Sequence, residues 1–357
     1  MENILVIGGG IAGISAAAAL SPHASVVVLE AESAIGYHAS GRSAAMFLAD
    51  YGNEVVRALN HASYEHLTGV LSQRGKVYLG RASERPAFLE EIASLGLAEI
   101  SVGEAREYLP IIHPQHVAYA AYREDVFDLD TDLLLQNYAR TARQNGANII
   151  NNARVQKITK SGAGWEVFTE KSVYQADIIL NAAGAWADEI AKLASVPPIG
   201  IQPFRRSMAR LPAPGGHDVR HWPFVNSVGE RWYAKPDAGS WLVSPADEDP
   251  VAPHDAWPDD MVLAEGLARY EEMVTEPVTR LQSSWAGLRS FAPDHTLVVG
   301  PDKAVPSFFW LAGQGGYGFQ SAPAASRLVA DLVLGRKPAL DADVVQALSS
   351  HRFQKNC

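Results

Sequence analysis

The sequence predicts an α/β fold in which a βαβ nucleotide-binding domain is interrupted by a mixed β-sheet lobe. Three observations predict it. The apolar run Ile4-Leu5-Val6-Ile7 leads into Gly8-Gly9-Gly10-Ile11-Ala12-Gly13, and an Ala-rich helix and a second strand follow. At 357 residues the chain is too long for one ordinary core and fits two packed lobes. After Pro197-Pro198 the composition shifts to Trp, Pro and short alternating strands, and helix-and-strand patterning of the first kind returns near residue 291.

The elements follow in order. Residues 4–7 read as a buried strand, 8–13 as a tight turn, 14–20 as a helix and 26–29 as the next strand. Helical spacing of Val55, Leu59, Ala62, Leu67 and Val70 predicts a helix over 54–71, and 75–79 reads as a strand. A strong helix is expected over 131–145, capped by Asp130 or Thr131 and closed by Gly146. Strands are expected at 148–150, 155–159, 165–169 and 176–180, and a helix near 259–274. Strands at 297–299 and 308–311 and a helix over 318–334 complete the reading. The expected domains are 1–72, 129–196 and 291–357 for the nucleotide, and 73–128 and 197–290 for the substrate.

Composition narrows the function. Apolar residues make up 47% and charged residues 20%, as in a globular protein. A net charge of -10 with no basic run argues against nucleic acid as a partner. The one cysteine, Cys357, sits in the terminal tail, so neither an intramolecular disulfide nor a Cys-based metal site is expected. Met1-Glu2-Asn3 runs straight into a strand without a secretory leader pattern, and no apolar run is long enough to span a bilayer. A cytoplasmic location is expected, with peripheral membrane contact left open.

The glycine motif satisfies G-x-G-x-x-G in the required strand–turn–helix context. Gly8 permits the tight turn, Gly10 lets a pyrophosphate approach the backbone, and Gly13 lets the helix lie close to the strand. The N-terminus of the following helix, reached through Ile11 and Ala12, offers N–H groups and a positive dipole end. Glu30, followed by Ala31, ends the second strand where an acid binds ribose hydroxyls, and an acid there disfavours a 2′-phosphate. The βαβ unit alone leaves FAD and NAD open. The small-residue loop Ser40-Gly41-Arg42-Ser43-Ala44 then offers donors to a pyrophosphate and close backbone approach to a ring.

At this loop the chain resembles the FAD-dependent D-amino-acid oxidase and dehydrogenase superfamily, and within it the bacterial D-arginine dehydrogenase type. The resemblance runs through Asn181-Ala182-Ala183-Gly184-Ala185-Trp186, Gln202-Pro203, Arg205-Arg206-Ser207 and Tyr233 with Lys235-Pro236-Asp237. It ends with Trp285-Ala286-Gly287-Leu288-Arg289-Ser290-Phe291 and Gln314-Gly315-Gly316-Tyr317-Gly318. It implies a Rossmann-type FAD-binding domain with an inserted mixed β-sheet substrate domain. It also implies a backbone contact from Val155 to adenine, a cofactor contact from Trp186, and an isoalloxazine region lined by Ala183 and Gly184 and by Gly315, Gly316, Tyr317, Gly318, Phe319 and Gln320. Some relatives attach flavin through a cysteine; with only a terminal one here, noncovalent FAD is expected.

The resemblance implies a substrate carboxylate gripped by Arg206 and Arg289, whose planar forks suit that task. Tyr51 and Tyr233 match phenolic pocket residues, and the Gly316 carbonyl matches an acceptor for the amine. Arg205 is expected on the opposite face, because strand neighbours alternate. The implied chemistry is hydride transfer from the Cα of a small amino acid to flavin N5, then hydrolysis of the imino acid to a 2-oxo acid and ammonia. The chain departs from the D-arginine type at Lys76, where that type has a glutamate, at Met46, where it has a histidine, and at Leu48, where it has a threonine. Lys76 disfavours a basic side chain and favours an acidic or neutral one. Oxidation of a secondary amine (as in sarcosine or glycine oxidases) or of a 2-hydroxy acid is the alternative on the same fold. The electron acceptor, quinone or oxygen, is not legible.

Overall fold

The computed structural model describes residues 2–162 and 164–353; Cys357 lies outside the described residues. A six-stranded sheet carries the order Val298–Pro301, Phe308–Ala312, Ile178–Asn181, Asn3–Ile7, Ser25–Leu29, Asn148–Ile150. The last five are parallel, and Val298–Pro301 runs antiparallel along one edge. Parallel strands are covered on both faces, which is why they read as continuous apolar runs. On the first strand Ile4 and Val6 face one core, while Leu5 and Ile7 face the other. The first core lies under helices Ile11–Leu20, Thr131–Gln144 and Gly318–Val333. The second lies under helix Ala187–Leu193 and a three-stranded antiparallel sheet formed by Val155–Ser161, Gly164–Thr169 and Val173–Ala176.

Three elements depart from the sequence reading. The first helix begins at Ile11 and not at residue 14. Gly10 is its extended N-cap, so Gly13 lies inside the first turn. The helix expected over 54–71 stops at Ser63; a 3-10 turn, Tyr64–Leu67, follows, and Gly69 at φ +85° sends the chain into strand Leu71–Gln73. That strand pairs with Phe127–Leu129, a long-range contact that overrides local periodicity. The single strand expected at 176–180 is two, Val173–Ala176 and Ile178–Asn181, in different sheets. Asp177 is the hinge: its carboxylate accepts the Asn3 N–H at 2.8 Å, and its own N–H donates to the Asn3 carbonyl at 2.8 Å.

A nine-stranded mixed sheet draws every strand from residues 76–123 and 202–291. From Gln202–Leu211 it passes through Ser240–Ser244, Tyr233–Asp237, Phe224–Ser227, Lys76–Gly80 and Tyr119–Arg123 to Ala98–Ile100. Strands Ser283–Phe291 and Asp249–Pro250 also pair with Gln202–Leu211. Only Phe224–Ser227 and Lys76–Gly80 are parallel. Val77, Leu79, Ala209, Val225, Ala234, Trp241 and Val243 form one buried face, shared with helix residues Ala105, Leu263 and Tyr270. The alternate residues, Lys76, Phe224, Asn226, Tyr233, Arg206 and Met208, face a cavity. Helices Arg85–Ser94 and Val102–Tyr108 were not anticipated from sequence. No helix of the described residues is long and apolar enough to cross a membrane.

Candidate active site

A cavity of about 590 Å³ lies between the two sheets. Its nucleotide half opens just beyond the carboxyl ends of strands Asn3–Ile7, Ser25–Leu29 and Ile178–Asn181, through Gly8, Glu30 and Ala182. Gly8 has φ +111°, and a Cβ there would lie 2.4 Å from the Ala182 carbonyl oxygen. A Cβ on Gly13 would lie 2.0 Å from the Gly8 carbonyl oxygen, so only glycine lets helix and turn meet. Gly10 faces the cavity, where a Cβ would meet only the Ser40 hydroxyl, at 3.1 Å. That hydroxyl accepts the Ile11 N–H at 3.0 Å and so caps the helix start in place of Gly10. Glu30 is 8% exposed and accepts the N–H groups of Gly9 at 2.6 Å and Glu32 at 2.8 Å. Ile11, Ala12, Ala31 and Val155 also line this half.

Loop 36–46 joins the halves. Ser40, Arg42, Ser43, Ala44 and Met46 line the cavity; Gly41 does not. The Gly41 N–H donates to the Gly36 carbonyl at 2.6 Å and shapes the loop. The Arg42 guanidinium bonds the carbonyls of Ala256 and Ala286, each at 3.0 Å, and the Asp255 carboxylate at 2.5 Å. These bonds tie the loop to the large sheet, while Arg42 still lines the cavity. Sequence reasoning also missed Lys235. Its ammonium meets Asp128 at 2.5 Å and the Ala44 carbonyl at 3.0 Å, holding the loop where Ala45 takes φ +23°. Its signal was alternation: Lys235 lies two residues from Tyr233 on one strand.

The wall opposite comprises Ala183, Gly184, Trp186, Gly315, Gly316, Gly318, Phe319 and Gln320. Gly315, at φ +51°, packs against the Phe291 ring, which a Cβ would meet at 2.1 Å. Helix Gly318–Val333 starts here with no side-chain cap, and the buried Gln320 Nε2 has no partner among the described residues. Tyr317 does not line the cavity; its ring packs edge-on against Tyr51 at 5.3 Å.

Arg206 and Arg289 stand on adjacent strands. The register pairs Arg206 with Gly287, two residues from Arg289, so both arginines share the cavity face. Arg205 takes the other face, bonded to Asp247 at 3.3 Å and Asp249 at 2.7 Å. Nε and Nη1 of Arg206 are buried without a hydrogen-bond partner among the described residues, and its nearest carboxylate, Glu248, is 3.8 Å away. Buried donors are normally paired, so these two are free to meet an anionic acceptor in the cavity. Arg289 makes no hydrogen bond or ion pair among the described residues and lies against Gly316, where a Cβ would sit 3.1 Å from its Cζ. Burial works against the charge of Arg289, but Tyr51, Tyr233, Glu230 and Glu248 hold its proton above the usual range. Burial, reinforced by Glu230, pushes the Tyr51 phenol up, so it remains a donor. Tyr233 places its ring 6.0 Å from the Arg206 Cζ. Lys76, 3% exposed, also lines the cavity, and burial pushes its ammonium down to about 8.

The family model described as FAD dependent oxidoreductase (DAO) matches residues 3–332. The chain belongs to that family. Its cofactor is FAD, and the cradle fits it: a Cβ-free turn under a helix start, a buried acid at the second strand end, and an orphaned amide beside the glycine wall. The flavoprotein is 26% identical to the bovine FAD-dependent oxidoreductase domain-containing protein 1 over 280 residues. That match covers 66% of this chain and only 56% of the bovine one. Among solved structures it is similar to glycine oxidase from Geobacillus kaustophilus, at TM-score 0.83 and 21% identity, covering 100% of both chains. It is equally similar to FAD-bound L-alpha-glycerophosphate oxidase from Mycoplasma pneumoniae, at TM-score 0.83 and 21% identity, covering 96% of this chain and 97% of the other. These two likenesses establish the fold.

Proposed function

We propose that this flavoprotein oxidises a D-amino acid with a non-basic side chain to its 2-oxo acid and ammonia. The observation that carries the reading is the pair of guanidinium groups facing the cavity beside the cofactor cradle, one with two buried nitrogens that have no partner among the described residues. Arg206 and Arg289 hold the α-carboxylate, and the phenols of Tyr51 and Tyr233 donate to it or to the amine. The Gly316 carbonyl accepts an amine N–H. Met46, Leu48 and Met208 keep that region dry. Bound, noncovalent FAD supplies the two-electron acceptor for the hydrogen leaving Cα. Nearby cations disfavour an ammonium and so favour the neutral amine that the reaction needs. Imine formation removes two electrons and two protons, and water then releases ammonia. The electrons pass on to a quinone or to oxygen.

The D configuration and deamination rest on the resemblance to the D-arginine dehydrogenase type. Lys76 in the cavity separates this pocket from one built for a basic side chain. A secondary-amine substrate is the second reading, favoured by 22% identity over 292 residues to an N-methyl-L-tryptophan oxidase of Salmonella, whose named substrate is a secondary amine. Anaerobic mixing of the oxidised protein with D- and L-amino acids, N-methyl amino acids and 2-hydroxy acids tests both. Non-basic D-amino acids are expected to bleach the flavin fastest and to release one ammonia per flavin reduced. Faster bleaching by D-Arg or D-Lys, or release of methylamine in place of ammonia, counts against the proposal.

A further inference from the structure

We propose that the pocket ends in a second anion site, formed by Lys76 with Asn226, so that the substrate is an amino acid carrying a second acidic group. The inference rests on the reading above that Arg206 and Arg289 hold the α-carboxylate.

The far end of the pocket is built on two parallel strands. Their register pairs Lys76 with Phe224 and Tyr78 with Asn226, which puts all four side chains on the cavity side of the sheet. The Lys76 ammonium lies 5.5 Å from the centroids of both the Tyr78 and the Phe224 rings. It makes no hydrogen bond or ion pair among the described residues. A buried lysine in a purely structural role is paired, and Lys235 shows what that looks like here, with Asp128 at 2.5 Å and the Ala44 carbonyl at 3.0 Å. Lys76 lacks such partners yet faces a cavity, so its counter-ion comes from the ligand. Asn226, 2% exposed, lines the same end. Its side-chain amide nitrogen brings two N–H donors to a carboxylate, while its oxygen only accepts.

Apolar rings separate the two cationic ends. Tyr233 lies 6.0 Å from the Arg206 guanidinium, Phe224 lies 5.6 Å from Tyr233, and Lys76 lies 5.5 Å from Phe224. Cation, apolar wall, cation is the pattern that a dicarboxylate with a methylene stem complements.

Other charges face this end. Glu230 lines the cavity from the turn after Phe224–Ser227 and raises the Lys76 affinity for its proton, while Arg123 lowers it and Glu91 raises it. Arg123 is bonded to Asp50 at 2.7 Å and Asp125 at 2.6 Å, and Glu91 accepts the Gly229 N–H at 3.1 Å. None comes within ion-pair distance of Lys76. Glu230 is exposed, which leaves the buried end to the lysine.

Titration of the oxidised holoprotein with glutarate and with pentanoate, followed by the flavin absorbance, tests the inference. Glutarate is expected to bind at least roughly tenfold more tightly at pH 7, a preference of about 1.4 kcal/mol. In Lys76→Met the ratio falls to near one, and Lys76→Arg restores most of it. The preference fades as pH rises past about 8, where the unliganded lysine loses its proton. Equal binding of the two acids by the unaltered protein overturns the inference and leaves the α-carboxylate grip standing. Failure of both acids to bind removes the grip, and the second site with it.

Discussion

Arg289→Met lowers kcat/KM by roughly two to three orders of magnitude, because truncating one partner of a buried, hydrogen-bonded charge pair costs about 2–5 kcal/mol. Most of the loss falls on KM if the carboxylate is held equally in ground and transition states. Arg289→Lys recovers only part of it, since an ammonium cannot reproduce the planar fork. Arg205→Met is the contrast. Its guanidinium is bonded to Asp247 and Asp249 on the other face of the same sheet, so kcat/KM stays within a few-fold. Steady-state kinetics on the three variants checks this. Equal losses at 205 and 289 would mean that the sheet, and not the cavity face, sets activity.

Gly13→Ala yields a protein that holds less than about a tenth of the normal flavin. The added Cβ would stand 2.0 Å from the Gly8 carbonyl oxygen and 3.1 Å from a Val6 methyl. Neither neighbour is the free end of a flexible chain, so the helix must lift off the turn that positions its N–H groups. Gly103→Ala is the control. Its Cβ would meet only the Ser101 hydroxyl, at 3.7 Å, and alanine is the better helix former. The ratio of flavin to protein absorbance after purification, with and without added FAD, separates the two variants. Full occupancy in Gly13→Ala would show that the close approach of helix to turn is dispensable.

Local pattern made the nucleotide half legible. The strand Asn3–Ile7, the glycine turn and Glu30 lie within about thirty residues, and their physics is short-range. Alternation likewise separated Arg205 from Arg206 before any coordinates, because strand neighbours face opposite ways. What escaped was set by distant partners. The hold of the Arg42 side chain on Asp255, 213 residues on, is one such contact. Lys235 acquires its role only when Asp128 and Ala44 meet it. Asp177 breaks a strand because two sheets compete for the chain on either side. Helix Arg85–Ser94 has its Phe88 and Ile92 buried against Tyr78 of the large sheet, but too few apolar positions to announce itself. Lys76 was legible as an oddity, and the fold supplies the reason to weigh it: burial inside the cavity with no hydrogen bond or ion pair among the described residues.

In the proposed reaction two guanidinium groups hold a free carboxylate beside the flavin. Anaerobic flavin reduction by the best amino acid, compared with reduction by the amide of that same amino acid, tests it most directly. The amide keeps the amine, the Cα hydrogen and the side chain, and replaces the carboxylate by a neutral group with an N–H donor; its less basic amine, if anything, favours the neutral form the reaction needs. Rapid bleaching by the acid is expected, with a rate lower by roughly a hundredfold or more for the amide at equal concentration. Comparable bleaching by both would contradict it, because the anion would then have no part in placing the substrate.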